Sequence, residues 1–338
     1  MDDNYVDENY DVVVIGGGAA GLAGGVALAR SRRSVLVVDA GDPRNAPAGH
    51  VHNFLTRDGT PPAEIYAAGR GEVARYGGRV ETGRVTALGQ DGERFLVRIG
   101  SRAVAARRLL VATGVRDELP DVPGLAARWG IDVLHCAYCH GWEVAGQRIG
   151  ILATGPMAIH QALLFRQLSG HVTLLQHTGP APVGEEREQL DARGIAVAEG
   201  QVEQIEADAR GLTGARLAGG HRVALDAVIV APHMTARAEL LAPLGLTPAE
   251  VRIGEHVAGS RIEADRTGAT AVAGVWVAGN IADIQAQVVT AAAAGLTAGA
   301  AINFDLVLEE TRKASGRRLE RLAFEPSRGD RPAAQHQG

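Results

Sequence analysis

The 338-residue chain has two cysteines, few aromatic residues and no surplus of basic charge. With only Cys136 and Cys139 available, no cysteine-rich zinc module and no multi-disulfide scaffold can form. Aromatics at 4% are too sparse for the stacking platforms of single-strand binders. Lys and Arg total 34 against 39 acidic residues, a net charge of −5, so phosphate backbones find no electrostatic footprint and nucleic acid is not expected as a partner. The opening MDDNYVDENY is acidic and lacks the apolar core of a signal peptide. No apolar run reads as membrane-spanning; Ala291–Ala301 is rich in small residues and broken by Gly, the pattern of a buried helix. The expectation is a cytoplasmic protein without a membrane partner. There a C-x-x-C is more often redox or metal chemistry than a structural staple.

Apolar residues at 46% and charged residues at 22% describe a globular chain long enough for two cores. Asp11–Ile15 is a β-branched run, followed by Gly16-Gly17-Gly18-Ala19-Ala20-Gly21, a helical stretch Leu22–Arg30, and a second apolar run Val35–Val38 closed by Asp39. A loop at Arg44–Gly59, a helix at Ala63–Tyr76 and strands at Val80–Leu88, Phe95–Ile99 and Ala103–Val111 follow. Arg148–Leu152, the turn Ala153–Pro156, a helix Met157–Leu168 and a strand Val172–Leu175 read as a second, degraded copy of the same βαβ unit. Strands at Val228–Ala231 and Gly274–Asn280 and a helix at Gln287–Asn303 complete the pattern. From Lys313 the chain is polar and reads as a disordered tail, 313–338. The fold class is α/β, with two Rossmann-like dinucleotide-binding units.

Gly16-x-Gly18-x-x-Gly21 is placed as a dinucleotide site requires. Gly16 permits the tight turn, Gly18 admits a pyrophosphate, and Gly21 lets helix and strand pack closely. The helix N-terminus stabilises phosphate charge and Asp39 bonds a ribose hydroxyl. For His135-Cys136-Ala137-Tyr138-Cys139-His140-Gly141, redox exchange competes with three other readings. Zinc would need four ligands from six adjacent residues. A structural disulfide would close too short a loop to stabilise much. Inert core thiols are the third. Redox work is the reading carried forward, with no metal assigned.

With these motifs, with Ala112-Thr113-Gly114, and with Val277-Ala278-Gly279-Asn280 followed by Gln287, the chain resembles the low-molecular-weight thioredoxin reductase class of flavoproteins over about residues 10–305. The resemblance implies that the first fingerprint holds FAD. It implies an FAD domain split as 1–117 and 251–312, interrupted by a domain 118–250 that carries the dithiol, and a homodimer. It extends the FAD-binding set to Gly16, Gly18, Ala20, Gly21, Asp39, Ala40, Asn45, Asn53, Val85, Thr113, Gly114, Gly279, Asn280, Gln287 and Val288. Gly279 would approach the ribityl chain, Asn280 would bond a ribityl hydroxyl, and Gln287–Val288 would aim a helix N-terminus at the flavin. Cys139 would face the flavin and Cys136 the substrate, with His140 as acid/base. His50 and His52 either line the substrate pocket or belong to a solvated, locally bonded loop. Trp142 is expected at an interface.

Two departures bear on function. The second turn reads Ala153-Thr154-Gly155-Pro156-Met157-Ala158, with the first Gly missing and Pro156 removing a backbone donor. The stretch Gln176-His177-Thr178-Gly179-Pro180-Ala181-Pro182 offers no Arg for a 2′-phosphate and no acid for a ribose, leaving Arg187 as the nearest candidate. These departures, and His140 after the second Cys, resemble the dithiol oxidase branch, in which a small-molecule dithiol or a thioredoxin-like protein reduces FAD and O₂ takes the electrons. An NAD(P)H-dependent reductase with a drifted site, a ferredoxin-type donor and a redox-sensing flavoprotein remain as alternatives.

Overall fold

The computed structural model describes residues 8–324, with side chains through residue 318. In chain order the first unit builds β1 (Glu8–Ile15), α1 (Ala19–Arg30), β2 (Val35–Asp39), α2 (Pro62–Arg75), β3 (Arg79–Thr82), β4 (Val85–Asp91), β5 (Arg94–Ile99), β6 (Arg102–Val111) and β7 (Val115–Glu118). The second builds β8 (Val133–Leu134), α3 (Ala137–His140), β9 (Arg148–Leu152), α4 (Met157–Phe165), β10 (His171–Leu175), α5 (Glu185–Ala192), β11 (Ala196–Ala198), β12 (Val202–Asp208), β13 (Gly211–Leu217), β14 (Arg222–Ala224) and β15 (Ala227–Val230). The chain then returns through β16 (His233–Ala236), β17 (Ala249–Ile253), β18 (His256–Arg261), β19 (Val275–Val277) and α6 (Val288–Phe324).

The first sheet runs β3-β2-β1-β6-β5-β4, with β19 joining the end of β6. β1 lies parallel to both β2 and β6. Its residues are apolar on both faces because both are covered. Val12 and Val14 pack with Leu22, Leu28 and Ile302 of α1 and α6. Val13 and Ile15 pack with Phe95, Leu241 and Leu246. Full burial of one such Leu contributes about 1.5–3 kcal/mol. The second unit repeats the plan as β11-β10-β9-β15-β8, all parallel. Phe165 of α4 and Leu190 of α5 cover one face; Ile205 and Leu217 of the antiparallel β12-β13-β14 sheet cover the other.

Two boundaries differ from the sequence reading. Residues 233–250, assigned there to the second unit, return to the first: β16 pairs antiparallel with β7, and Ala236, Ala238, Leu241 and Leu246 enter the first core. The crossing back therefore falls just after β15. The last helix does not stop near Asn303, and residues from Lys313 are not a tail, since α6 continues to Phe324. Helix-forming residues persist there, and Lys313 Nζ reaches Glu309, one turn back, at 2.6 Å and Glu93 at 3.2 Å. Residues 325–338 lie outside the described part. Among the described residues α6 is the one helix long and apolar enough to cross a membrane. It packs on α1, with Ala291, Ala298, Ile302 and Leu306 buried, and a Cβ on Gly295 would sit 1.9 Å from Ala20 O.

Candidate active site

The turn between β1 and α1 closes as tightly as backbone allows. Gly16 N–H donates to Val38 O at 2.9 Å. Its φ is +116°, and a Cβ there would lie 2.4 Å from Ala112 O. A Cβ on Gly21 would lie 1.8 Å from Gly16 O, and one on Gly17 would overlap the Asp39 carboxyl. Glycine at these positions brings strand, helix and carboxylate together. Gly18 caps α1 without a side-chain bond, and the first turn holds no acid. The leading N–H groups of α1 are thus left for an anion.

These groups open onto a cavity of about 580 Å³, within the size range of ligand pockets. Gly16, Gly18, Ala20, Asp39, Ala40, Asn45, Val85, Thr113, Gly114, Gly279, Asn280, Gln287 and Val288 all line it, and so do Cys136, Cys139 and His140. Gly21 does not; it lies beneath the turn. Asn53, expected beside the flavin, is also absent from the lining: its Nδ2 donates to the carbonyl of Tyr138. Two lining side chains are turned to backbone carbonyls. Thr113 Oγ1 donates to Arg237 O at 2.6 Å. Asn280 Nδ2 donates to Ala286 O at 2.9 Å, with Ile284 O and Asp283 O at 3.3 and 3.2 Å. An Asp at 280 has no donor for these carbonyls, so Asn holds the entry to α6 and leaves only Oδ1 for the cavity.

Cys136 and Cys139 are joined as a disulfide, with Cα atoms 5.2 Å apart. Both are half-buried. Cys136 caps the single turn α3, and its Sγ accepts the N–H of Cys139 at 3.2 Å, a contact that stabilises negative charge on that sulfur. Burial pushes the His140 imidazole below its ordinary 6.5, with Glu143 opposing and His52 adding to the fall. His140 is therefore neutral near pH 7 and ready to accept a proton. His52 is bonded within its own loop to Asp58 at 3.4 Å and across to Glu143 at 3.1 Å, and it also lines the cavity. His50, His52 and His140 also line a second cavity of about 780 Å³, which adjoins the first and is walled by the Arg128–Asp132 and Arg148–Asp226 pairs. Trp142 is 80% exposed.

Sequence reasoning missed three features. Arg44 makes a two-point ion pair with Asp117, at 2.6 and 2.7 Å, in the cavity wall. His135 lines the same wall; its Nδ1 is enclosed without a partner, and burial, then Arg44, hold its pKa down. The third is His256, from the first unit, which covers the second βαβ turn: a Cβ on Gly155 would meet its ring at 2.9 Å. Beside it Gly179 N–H bonds Ala153 O at 2.8 Å, folding the post-β10 loop over the same turn. Arg187 is engaged with Asp191 on α5 at 3.0 Å. The Arg44–Asp117 and His256–Gly155 contacts join residues far apart in the chain, so no local motif announces them.

Residues 10–295 match the family model for pyridine nucleotide-disulphide oxidoreductases. The chain belongs to this family. Over 320 residues it is 30% identical to thioredoxin reductase sirT of Leptosphaeria maculans, covering 87% of this chain and 94% of that one. A match to thioredoxin reductase tcpT of Claviceps purpurea (strain 20.1) is 38% identical over 185 residues but spans only 58% of that protein and 52% of this one. Among solved structures, that of HlmI superposes with a TM-score of 0.85 at 43% identity, covering 93% of this chain and 98% of that one. The protein is a thioredoxin reductase-like, FAD-dependent disulfide oxidoreductase with a cysteine pair. The residues present fit FAD: the glycine cradle, the uncapped α1, Asp39 at the end of β2 and the unpartnered His135 Nδ1 all border one cavity.

Proposed function

We propose that the protein is a dithiol oxidase in which a dithiol substrate reduces the Cys136–Cys139 disulfide and the electrons leave through FAD to O₂, giving H₂O₂. One observation carries this reading. The disulfide shares a cavity with the open first turn, whereas the second turn, where a nicotinamide nucleotide would place its pyrophosphate, is covered by His256. A nucleotide would have to displace that ring and would find no arginine in the stretch 176–182 after β10, the next one, Arg187, being paired with Asp191.

The chain's own residues account for the thiol chemistry. A substrate thiolate attacks one sulfur of the pair, forms a mixed disulfide and releases the other as thiolate. Neutral His140 takes the proton of the substrate's second thiol, which then closes the substrate disulfide and releases the remaining cysteine. The substrate loses two electrons and the cysteine pair gains them. Bound FAD supplies the two-electron acceptor and the route to O₂. The adjoining 780 Å³ cavity gives a small dithiol room beside His140. Leu296, Phe304, Val307 and Leu308 stand exposed on α6 and support a homodimer through that helix.

The names of the relatives favour a second reading, a nicotinamide-driven thioredoxin reductase. Mixing the FAD-loaded protein anaerobically with NADPH, with NADH and with dithiothreitol separates the two. Bleaching of the flavin by dithiothreitol alone, with H₂O₂ appearing on admission of air, is expected. Bleaching by NADPH at catalytic speed sinks the oxidase.

A further inference from the structure

The loop 51–60 of the first unit reaches across to the disulfide segment of the second. It is closed by Val51 N–H bonding Thr60 O at 2.9 Å and Gly59 N–H bonding Val51 O at 2.8 Å. Inside it, Asp58 Oδ1 accepts the N–H of Asn53 at 2.9 Å, and its other oxygen lies 3.4 Å from His52 Nδ1. Asn53 is thereby fixed at φ +59°, a left-handed conformation that Asn tolerates better than most residues.

From this position the two adjacent side chains grip the dithiol segment on either side of His140. His52 Nε2 lies 3.1 Å from Glu143 Oε1. Asn53 Nδ2 donates to the carbonyl of Tyr138, which sits between the two cysteines. That carbonyl and the N–H of Cys139 belong to one rigid peptide plane. The same N–H donates to Cys136 Sγ at 3.2 Å. A bond received at the oxygen end orients the plane and strengthens the donor at the nitrogen end.

We propose that Asn53 is a positioning residue for the redox disulfide: through the Tyr138–Cys139 peptide it aims and polarises the one backbone donor that stabilises a thiolate on Cys136. The proposal rests on the disulfide being redox-active, and not on the direction of electron flow or on O₂ as acceptor.

Asn53→Gly tests it, because glycine accepts φ +59° without strain and deletes only the amide. FAD-loaded wild type and variant are reduced anaerobically with dithiothreitol, desalted, and treated with iodoacetamide across a pH series, with Cys136 alkylation followed by mass spectrometry. This readout needs no physiological donor, so it stands even if the oxidase reading fails. In the variant the alkylation midpoint is expected to move up by about half a pH unit, with FAD content and visible spectrum unchanged. Electron transfer between thiols and flavin is expected to slow by about 10- to 100-fold. Asn53→Gln, which keeps the donor on a longer arm, recovers part of the rate. An unchanged midpoint overturns the proposal. So does a changed flavin spectrum or FAD loss with normal Cys136 reactivity, which would put Asn53 on the cofactor.

Discussion

The two βαβ turns start from the same bond and end in opposite states. In the first, Gly16 N–H donates to Val38 O at 2.9 Å; in the second, Ala153 N–H donates to Leu175 O at the same 2.9 Å. Beyond that bond the chemistry divides. The first turn takes φ +116° at Gly16 and draws α1 against it through Gly21, exposing helix N–H groups and Asp39 to a cavity. In the second, Ala153 and Ala158 stand where Gly16 and Gly21 do, Gln176 stands where Asp39 does, and His256 lies over Gly155. A Rossmann-like backbone is therefore not evidence of a bound nucleotide; the groups left open at the turn decide. The second unit keeps the scaffold and carries the disulfide on α3.

Reciprocal exchange of the leading residues should break the symmetry most. Gly16→Ala drives a Cβ into Ala112 O and demands a backbone conformation alanine resists; together these cost about 3 kcal/mol. The variant should lose its FAD, seen as a colourless protein with a lowered melting temperature. Ala153→Gly should cost about 1 kcal/mol through backbone entropy alone and keep the flavin. Equal effects at the two sites would mean that the turns do the same work.

A smaller effect is expected from uncovering the second turn. Combining Ala153→Gly, Pro156→Gly and His256→Gly restores the first glycine and a backbone donor and removes the imidazole. Isothermal titration should then detect weak NADH binding that the wild type lacks, without catalytic bleaching of the flavin, since the stretch 176–182 directly after β10 holds no acid or Arg. Strong NADH binding by the unmodified protein would show that His256 is no barrier.

What was legible in the sequence follows the range of the interactions. The first turn could be read because β1, the glycines, α1 and Asp39 lie within 32 residues and each has one steric reason to be there. The disulfide could be read from its spacing. Gln287 and Val288 carry no local signature and entered only through the resemblance. Arg44 meets Asp117 across 73 residues, and His256 meets Gly155 across the crossing back to the first unit; neither pairing leaves a periodic trace. Asn280 entered as a ribityl ligand through the resemblance; that its amide nitrogen bonds Asp283, Ile284 and Ala286 carbonyls, leaving Oδ1 to the cavity, depends on a loop whose shape no local rule sets. The helix end is hidden in the sequence because a polar composition marks tails and solvated helices alike; the i, i+4 bond of Lys313 to Glu309 is what distinguishes this one.

The smallest expected effect concerns protons at the disulfide, in the cavity onto which the first turn opens. Burial lowers the pKa of His140 from 6.5 and Glu143 partly restores it. The rate of flavin reduction by a dithiol should therefore fall on the acid side as pH drops through a value below 6.5, where His140 becomes charged and can no longer take the thiol proton. Glu143→Gln removes the restoring carboxylate, so this acid limb should move to still lower pH; movement to higher pH would contradict the assigned environment. His140→Gln should abolish the limb and lower the plateau. Stability follows the same sign. Below 6.5 the unfolded chain binds protons that folded His140 and His135 do not, so their contribution is lost as pH falls and retained above it. No corresponding limb should arise from the second turn. Burial also lowers His177 there, but its Nδ1 is occupied by the N–H of Val202 at 3.1 Å and faces no thiol.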